Sequence, residues 1–156
     1  MKIIIFYASN SGSTYLTGQI IQEVLENADN EVILKHARHS VPQDLKDFEF
    51  VIFGSPSWKV EGKEGQPHEF MQEFLGKLSA GDLEGKNIAF YGCGDRSYLH
   101  FCGAVDEMEK LLADKNIEKV GESLKIDSFF FDLDKNISDI RAWAENLVSV
   151  KITSLV

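Results

Sequence analysis

The stretch "KIIIFYASNSGST", residues 2–14, joins an apolar run to a cluster of small polar side chains. Residues 2–7 form a run that is apolar on both faces, as a central parallel strand must be when helices cover both sides of its sheet. Beyond Gly12, apolar residues recur at positions 16, 20, 24 and 28, with two more at 21 and 25, which is the spacing of one helix face. The stretch therefore predicts a buried strand, a polar turn and a helix.

The same alternation of strand and helix continues along the chain. Further strands are predicted at residues 31–36, 50–53 and 87–91 and within 119–126, and further helices at residues 68–78, 101–115 and 136–148. Strands that alternate with helices form a parallel sheet with helices on both faces. We therefore expect a doubly wound, five-stranded α/β fold, built as one domain over residues 1–156. The pattern does not decide whether the tail at 149–156 extends the last helix.

The charge balance restricts the partners. The chain has 16 basic and 25 acidic residues, a formal net charge of −9. Such a surface repels nucleic acid and anionic membranes and favours docking to basic proteins. The two cysteines form no CxxC motif, no Cys/His cluster has the spacing of zinc ligands, and no apolar run approaches the length of a membrane span. We expect a cytoplasmic monomer without a metal site.

Three segments follow the ends of strands one, three and four, and these ends meet where ligands bind in such sheets. The first, "SNSGST" at residues 9–14, places Ser9, Asn10, Ser11, Ser13 and Thr14 around Gly12, at the start of a helix. Free backbone amides and the helix dipole attract an anion there. Because the segment holds neutral donors and no lysine, it suits one phosphate monoester and not the phosphate loop of nucleotide triphosphatases. A simple helix cap is the alternative.

The other two segments supply aromatic rings. Trp58 follows the third strand, and Tyr98 follows the fourth, where Gly92 and Gly94 allow close approach of the backbone. Two rings beside one phosphate cradle would hold a phosphorylated, flat, heteroaromatic ligand, although Trp58 alone could equally cover the core.

These segments resemble the flavodoxin family, over nearly the whole chain. The most specific match is "YGCGDRSYLHFCGAVDEME" at residues 91–109, and "SNSGST" is similar to the family's phosphate loop. The resemblance implies the flavodoxin-like strand order 2-1-3-4-5, with flavin mononucleotide (FMN) bound where strands one and three diverge. No insertion is expected in the fifth strand, as in the short-chain type.

The resemblance also implies roles for individual residues. Residues Ser9 to Thr14 and Ser57 would surround the FMN phosphate, with Trp58 on the inner face of the flavin ring and Tyr98 on its outer face. Bordering positions of the cofactor site would be Ser55, Pro56, Lys59, Cys93, Gly94, Asp95, Phe101 and Cys102. Asp95 would disfavour an anionic reduced flavin, because like charges in a poorly solvated site repel. Lys59 stands where many short-chain members have glycine.

The implied function is a low-potential one-electron carrier between redox proteins, with no catalytic residues of its own. The alternative is an FMN-dependent quinone or NAD(P)H oxidoreductase of the same fold, for which "WKVEGKEGQPHEF" at residues 58–70 could form a substrate pocket. A receiver domain would need acidic residues after strands one and three, where this chain has Ser9–Asn10 and Ser55–Pro56. Residues 129–131, three phenylalanines in a row, could form a docking contact, although a folded-back loop is also compatible with the pattern.

Overall fold

The structure is a computed structural model that describes the backbone of residues 1–154 and the side chains of residues 1–149. Seven strands lie within this part of the chain. They are β1 (Lys2–Tyr7), β2 (Glu31–His36), β3 (Phe50–Val60), β4 (Lys63–Pro67), β5 (Asn87–Gly94), β6 (Glu118–Lys119) and β7 (Leu124–Asp127).

The core of the sheet is parallel and has the predicted order. Strand β1 lies between β2 and β3, and β5 follows β3 on the other side. Both β6 and β7 pair with β5 at the far edge. The order 2-1-3-4-5 is thus confirmed, with β5 as the fourth strand and the pair β6–β7 in place of the fifth.

Two strand predictions need correction. The fifth strand is interrupted at residues 120–123, where Gly121 has a φ of +68° that turns the chain out of the extended conformation. The third strand does not end at Gly54 but continues to Val60 and turns back as β4, which pairs with it antiparallel. Periodicity alone misses this extension, because polar and glycine residues replace the apolar run beyond Phe53.

Five α-helices lie between and after these strands within residues 1–154. They are α1 (Ser13–Asn27), α2 (Glu69–Gly76), α3 (Ala80–Leu83), α4 (Gly103–Leu112) and α5 (Leu133–Ser154). Helix α3 was not predicted, although Ser79 and Asp82 form the reciprocal capping contacts that begin it. Helix α5 includes residues 149–154 of the tail, and residues 155 and 156 lie outside the described part. No helix within residues 1–154 combines the length and the apolar character that crossing a membrane requires.

The helices cover both faces of the sheet, as predicted. Helices α1 and α5 pack on one face, against side chains such as Ile3 and Ile52, while α2 and α4 pack on the other, against Phe6 and Phe90. The buried side of α1 differs from the predicted one, since Leu16 is exposed and residues 14, 17 and 18 face the sheet. Small and hydroxyl side chains fill this close helix–sheet contact, and a hydropathy pattern does not mark them.

Candidate cofactor-binding site

The turn between β1 and α1 leads directly from the sheet into a helix N-terminus. Gly12 is the N-cap of α1 with φ +93°, a left-handed conformation that glycine adopts without strain. Its N–H donates to Ser9 Oγ at 3.2 Å. No side chain caps α1, so the helix-cap interpretation of the hydroxyl cluster is wrong. The amides of the first turn remain available to an anion, which the helix dipole also favours.

Thr14 carries the most informative polar atom of this turn. Its side chain is fully buried, and Oγ1 has no hydrogen-bond partner among the described residues. A buried hydroxyl without a partner costs about 1–3 kcal/mol. The Thr14 carbonyl, in contrast, accepts a hydrogen bond from the buried Tyr91 hydroxyl at 3.0 Å. The backbone is thus fixed to β5, while the hydroxyl lacks the group that would satisfy it.

Asn10 is held from the opposite side of the turn. Its Oδ1 lies 2.9 Å from His68 Nε2, at the start of α2. The backbone N–H of His68 donates to Ser55 Oγ at 2.9 Å, and this hydroxyl donates in turn to Pro56 O. The single hydroxyl proton of Ser55, a residue predicted to border the cofactor, is therefore used by an internal hydrogen bond.

The β3–β4 hairpin forms one wall of a cleft beside this turn. It carries Trp58, whose side chain is 42% exposed. Ser57 Oγ accepts a hydrogen bond from the Ala104 N–H at 3.0 Å, which ties the hairpin to the start of α4. A Cβ on Gly103 would lie 2.9 Å from the backbone of Gly65, so hairpin and helix pack backbone to backbone. This contact fixes the position of the tryptophan.

The loop after β5 forms the opposite wall and carries Tyr98, which is 64% exposed. The Tyr98 N–H donates to the Asp95 carbonyl at 3.1 Å. The Asp95 carboxylate accepts from the Ser97 N–H at 2.8 Å, and this hydrogen bond lowers its pKa below the ordinary value. The loop therefore presents an aromatic ring together with an ionised carboxylate.

Two thiols form part of the floor between these walls. Burial raises the pKa of the Cys102 thiol to about 12 and also raises the pKa of Cys93. Both thiols are protonated at neutral pH and pack as small apolar groups. A Cβ on Gly94 would lie 3.0 Å from both the nitrogen and the sulfur of Cys102. Only glycine allows β5 and the start of α4 to approach so closely here.

The walls and floor enclose one cleft of about 620 Å³. The predicted residues that line it are Ser11, Ser13, Pro56, Ser57, Trp58, Lys59, Cys93, Gly94, Asp95, Tyr98 and Cys102. The other predicted residues are not part of this lining, namely Ser9, Asn10, Gly12, Thr14, Ser55 and Phe101. Which of them contact a bound cofactor stays a prediction.

Sequence reasoning missed a third side of the cleft. Ser128 and Phe129 to Phe131 line it, because the Ser128 N–H donates to the Gly94 carbonyl at 2.8 Å and brings this segment alongside. Phe129 is buried, whereas Phe130 is 58% and Phe131 96% exposed. The run of three phenylalanines was the available signal. Glu64, Gly65 and His100 also line the cleft. They lie in segments that the sequence singled out, at residues 58–70 and 91–109, but none of the three was itself predicted as a cofactor-site residue.

The fold and the cleft together define a class of protein. A parallel α/β sheet carries an uncapped helix N-terminus at the end of β1, and an aromatic-lined cleft opens beside it where strand order reverses. This is the arrangement of proteins that hold a phosphorylated, planar, heteroaromatic cofactor at a sheet edge.

Comparison with known proteins identifies the family. The family model for flavodoxins matches residues 5–129. A flavodoxin from Maridesulfovibrio salexigens is 33% identical over 147 residues, covering 94% of this chain and 96% of its own. The crystal structure of oxidised flavodoxin 2 from Bacillus cereus superposes with a TM-score of 0.82 at 30% identity, covering 96% of this chain and 99% of that one. The chain belongs to the flavodoxin family.

A more distant structure shares the fold. The flavodoxin of Fusobacterium nucleatum bound to flavin mononucleotide superposes with a TM-score of 0.76 at 20% identity, covering 95% of this chain and 97% of that one. Flavodoxins are electron-transfer flavoproteins that bind FMN at the β1/β3 switch point, and they are not enzymes. The alternative of a quinone or NAD(P)H oxidoreductase is therefore set aside.

Proposed function

We propose that this protein binds FMN non-covalently and carries single electrons at low potential between redox proteins. The observation that carries the proposal is the buried, unpartnered Thr14 hydroxyl at the uncapped start of α1. A phosphate oxygen is the acceptor that this hydroxyl and the neighbouring amides lack. Residues 9–14 include no ionisable side chain, so the phosphate is held by neutral donors and the helix dipole.

The cleft suits the flavin ring in size and in chemistry. Ligand pockets commonly enclose about 300–1,000 Å³ and combine aromatic walls with a few polar groups. Trp58 and Tyr98 supply two aromatic surfaces, and the backbone of Cys93 to Asp95 supplies polar groups between them. FMN supplies the electron-accepting ring when bound. The protein orients the ring, limits its access to water and sets the charge around it.

Charge near the cleft supports a low potential. Asp95 stays ionised because the Ser97 N–H stabilises its carboxylate, and Glu64 also lines the cleft. Lys59 and His100 are the basic residues in the lining, and the whole chain carries a net charge of −9. Negative charge near the ring disfavours adding a further electron. The most reduced form of the cofactor is therefore destabilised relative to free FMN.

We further propose that the partners are basic proteins that dock at the exposed edge of the cleft. This edge consists of Tyr98, Leu99, Phe130 and Phe131, which are between 58% and 96% exposed. Exposed apolar groups in one place mark an interaction surface. Among the carboxylates, Glu64 and Asp95 line the cleft, and Asp132 and Asp134 follow Phe131 closely in the chain. A second copy of this chain, docked at the same edge, would bring negative charges together, so we expect a monomer. We expect this monomer to dock transiently to basic protein surfaces in the cytoplasm.

Binding of FMN can be tested against riboflavin, which has the same ring and no phosphate. Calorimetric titration of the flavin-free protein is expected to show one FMN site that is at least about 100-fold tighter than riboflavin, because several charge-assisted hydrogen bonds reach the phosphate. Inorganic phosphate should compete with FMN. Equal affinity for both flavins would contradict the assignment of residues 9–14 to the phosphate.

The docking edge can be tested with a basic c-type cytochrome as electron acceptor. The second-order rate of electron transfer from the reduced protein is expected to fall as ionic strength rises, since salt screens the attraction. Phe131→Ser should lower the rate about 5-fold, the loss typical of one interface anchor. The control is Leu111→Ser on α4, another exposed apolar residue outside the cleft lining. Equal rates for both variants, or a rate that rises with salt, would refute this surface.

A further inference from the structure

His68 connects the start of α2 to the turn that follows β1. Its Nδ1 accepts a hydrogen bond from the Phe70 N–H at 3.2 Å and so caps α2. Its Nε2 lies 2.9 Å from Asn10 Oδ1. The backbone N–H of His68 is fixed by Ser55 Oγ at 2.9 Å. The ring therefore has one defined place between a helix N-terminus and the turn at residues 9–12.

The two contacts determine the protonation of the ring. Because Nδ1 accepts a hydrogen bond from Phe70, the proton of the neutral ring must be on Nε2, which then donates to the Asn10 oxygen. Only neutral imidazole satisfies both contacts, since a protonated Nδ1 would place two donors face to face. With its oxygen held by His68, Asn10 turns its amide NH₂ away, and no group among the described residues accepts a hydrogen bond from that NH₂.

We propose that His68 is a positioning residue for the cofactor phosphate, whose neutral ring orients Asn10 so that the Asn10 amide donates to that phosphate. This inference rests on the proposed binding of FMN. It adds to the FMN site a residue, His68, that lies outside the turn and outside the cleft lining. It also gives a role to the hydrogen bond by which Ser55 holds the backbone of His68. The expected consequence is that binding of the phosphate depends on the protonation state of His68.

The charges around His68 come from its own helix and from the end of β2 with the turn that follows it. Glu69 is its neighbour in α2 and favours protonation, whereas burial of the ring lowers its pKa below the ordinary value and is the larger effect. His36 ends β2, and Arg38 and His39 belong to the 3₁₀ turn that follows it at Ala37–His39. His36 and Arg38 lie against the Phe70 ring, His39 lies against His36, and His36 Nδ1 accepts a hydrogen bond from the Arg38 N–H. The turn at residues 9–12 contributes no ionisable side chain.

The sign of the pH effect follows from the lowered pKa. Neutral His68 prevails at pH 7 and above, where Asn10 is held in place. As the pH falls through the pKa, below about 6.5, protonation of Nδ1 breaks the contact with Phe70 and the ring no longer holds Asn10. Affinity for FMN should therefore decrease on acidification. The FMN phosphate also titrates near pH 6. The test therefore compares the wild-type protein with a variant at position 68, because the titration of the phosphate is the same for both.

His68→Asn is the informative variant, because asparagine is a good helix cap but is too short to reach Asn10. At pH 7.5 we expect its dissociation constant for FMN to rise about 3- to 10-fold, the factor of one lost hydrogen bond. Riboflavin affinity should stay unchanged. In an Asn10→Ala background, His68→Asn should have no further effect on FMN binding. Between pH 7.5 and 5.5, the wild-type protein should lose more affinity than His68→Asn does.

Several results would overturn the role of His68 while leaving the FMN site intact. These are an equal loss of FMN and riboflavin affinity in His68→Asn, persistence of its effect in the Asn10→Ala background, and a wild-type affinity that rises on acidification relative to the variant. Nitrogen NMR of the flavin-free protein tests the geometry independently. We expect the Nε2–H tautomer of His68, and the Nδ1–H tautomer would refute the proposal whether or not FMN binds.

Discussion

Replacing Thr14 by valine is expected to weaken FMN binding about 10- to 100-fold and at the same time to stabilise the flavin-free protein. Valine keeps the shape of threonine and removes the hydroxyl, which is buried without a partner. Its removal should raise the free energy of unfolding by about 1 kcal/mol, since an unsatisfied buried group costs about 1–3 kcal/mol. A hydrogen bond to a charged phosphate contributes about 1.5–3 kcal/mol, which gives the expected loss of affinity. Flavin titration and urea unfolding of the flavin-free protein measure the two effects.

Thr17→Val is the matched control, one turn further along α1. Thr17 is also fully buried, but its hydroxyl donates to the Ser13 carbonyl at 2.8 Å. The same substitution should therefore destabilise the flavin-free protein by about 1 kcal/mol and change FMN affinity less than Thr14→Val does. If Thr14→Val destabilised the protein and left FMN affinity unchanged, the Thr14 hydroxyl would have no role in binding phosphate.

Gly54→Ala is expected to produce the largest loss of stability, about 3 kcal/mol or more. A Cβ on Gly54 would lie 2.0 Å from Cζ of Tyr91, a ring that is completely buried between β5 and α1. Overpacking a rigid core costs about 1–3 kcal/mol and sometimes more, and this ring has no room to move. Because the Tyr91 hydroxyl also holds the Thr14 carbonyl, FMN affinity should fall with stability. The midpoint of urea unfolding measures the loss of stability.

Gly76→Ala provides the control, since the same atom would be added at the end of α2, where nothing lies within 4 Å. Alanine favours helix more than glycine does, so we expect a gain of about 0.5–1 kcal/mol. If Gly54→Ala lowers the free energy of unfolding and Gly76→Ala raises it, then the close approach of β3 and Tyr91 is the reason that position 54 requires glycine. A loss below 1 kcal/mol for Gly54→Ala would contradict the packing described for this face of the sheet.

The sequence allowed correct prediction where local pattern and burial agree. The strand at residues 2–7, the polar turn and α1 follow one another within a short stretch, and each has its own signal. Prediction failed where a strand carries no apolar pattern or where a glycine interrupts it. Trp58 lies on an extended strand because β4 pairs back onto β3, and the polar residues of that hairpin carry no apolar periodicity. The interruption of the fifth strand depends on Gly121, which no strand pattern distinguishes.

In the site, the local cluster was visible in the sequence and the contacts between distant segments were not. The cluster at residues 9–14 was visible in the sequence, because so many hydroxyl groups around one glycine are unusual. The contact between His68 and Asn10 was not visible, since 58 residues separate the two. Phe130 and Phe131 were noticed only as an aromatic run. Their place beside Gly94 depends on the backbone hydrogen bond from Ser128 and on the Asn136 amide, which donates to the Ser128 and Phe129 carbonyls. Spatial neighbours from separate loops require the fold to be known.

An anaerobic spectroelectrochemical titration of the FMN-loaded protein tests the central claim most directly. A low-potential one-electron carrier should take up two electrons in two separate steps, each with the slope of a one-electron process, and the second step should lie at a more negative potential than that of free FMN. A single two-electron step at the potential of free FMN would contradict the account, because the protein would then neither separate the two electrons nor lower the second potential.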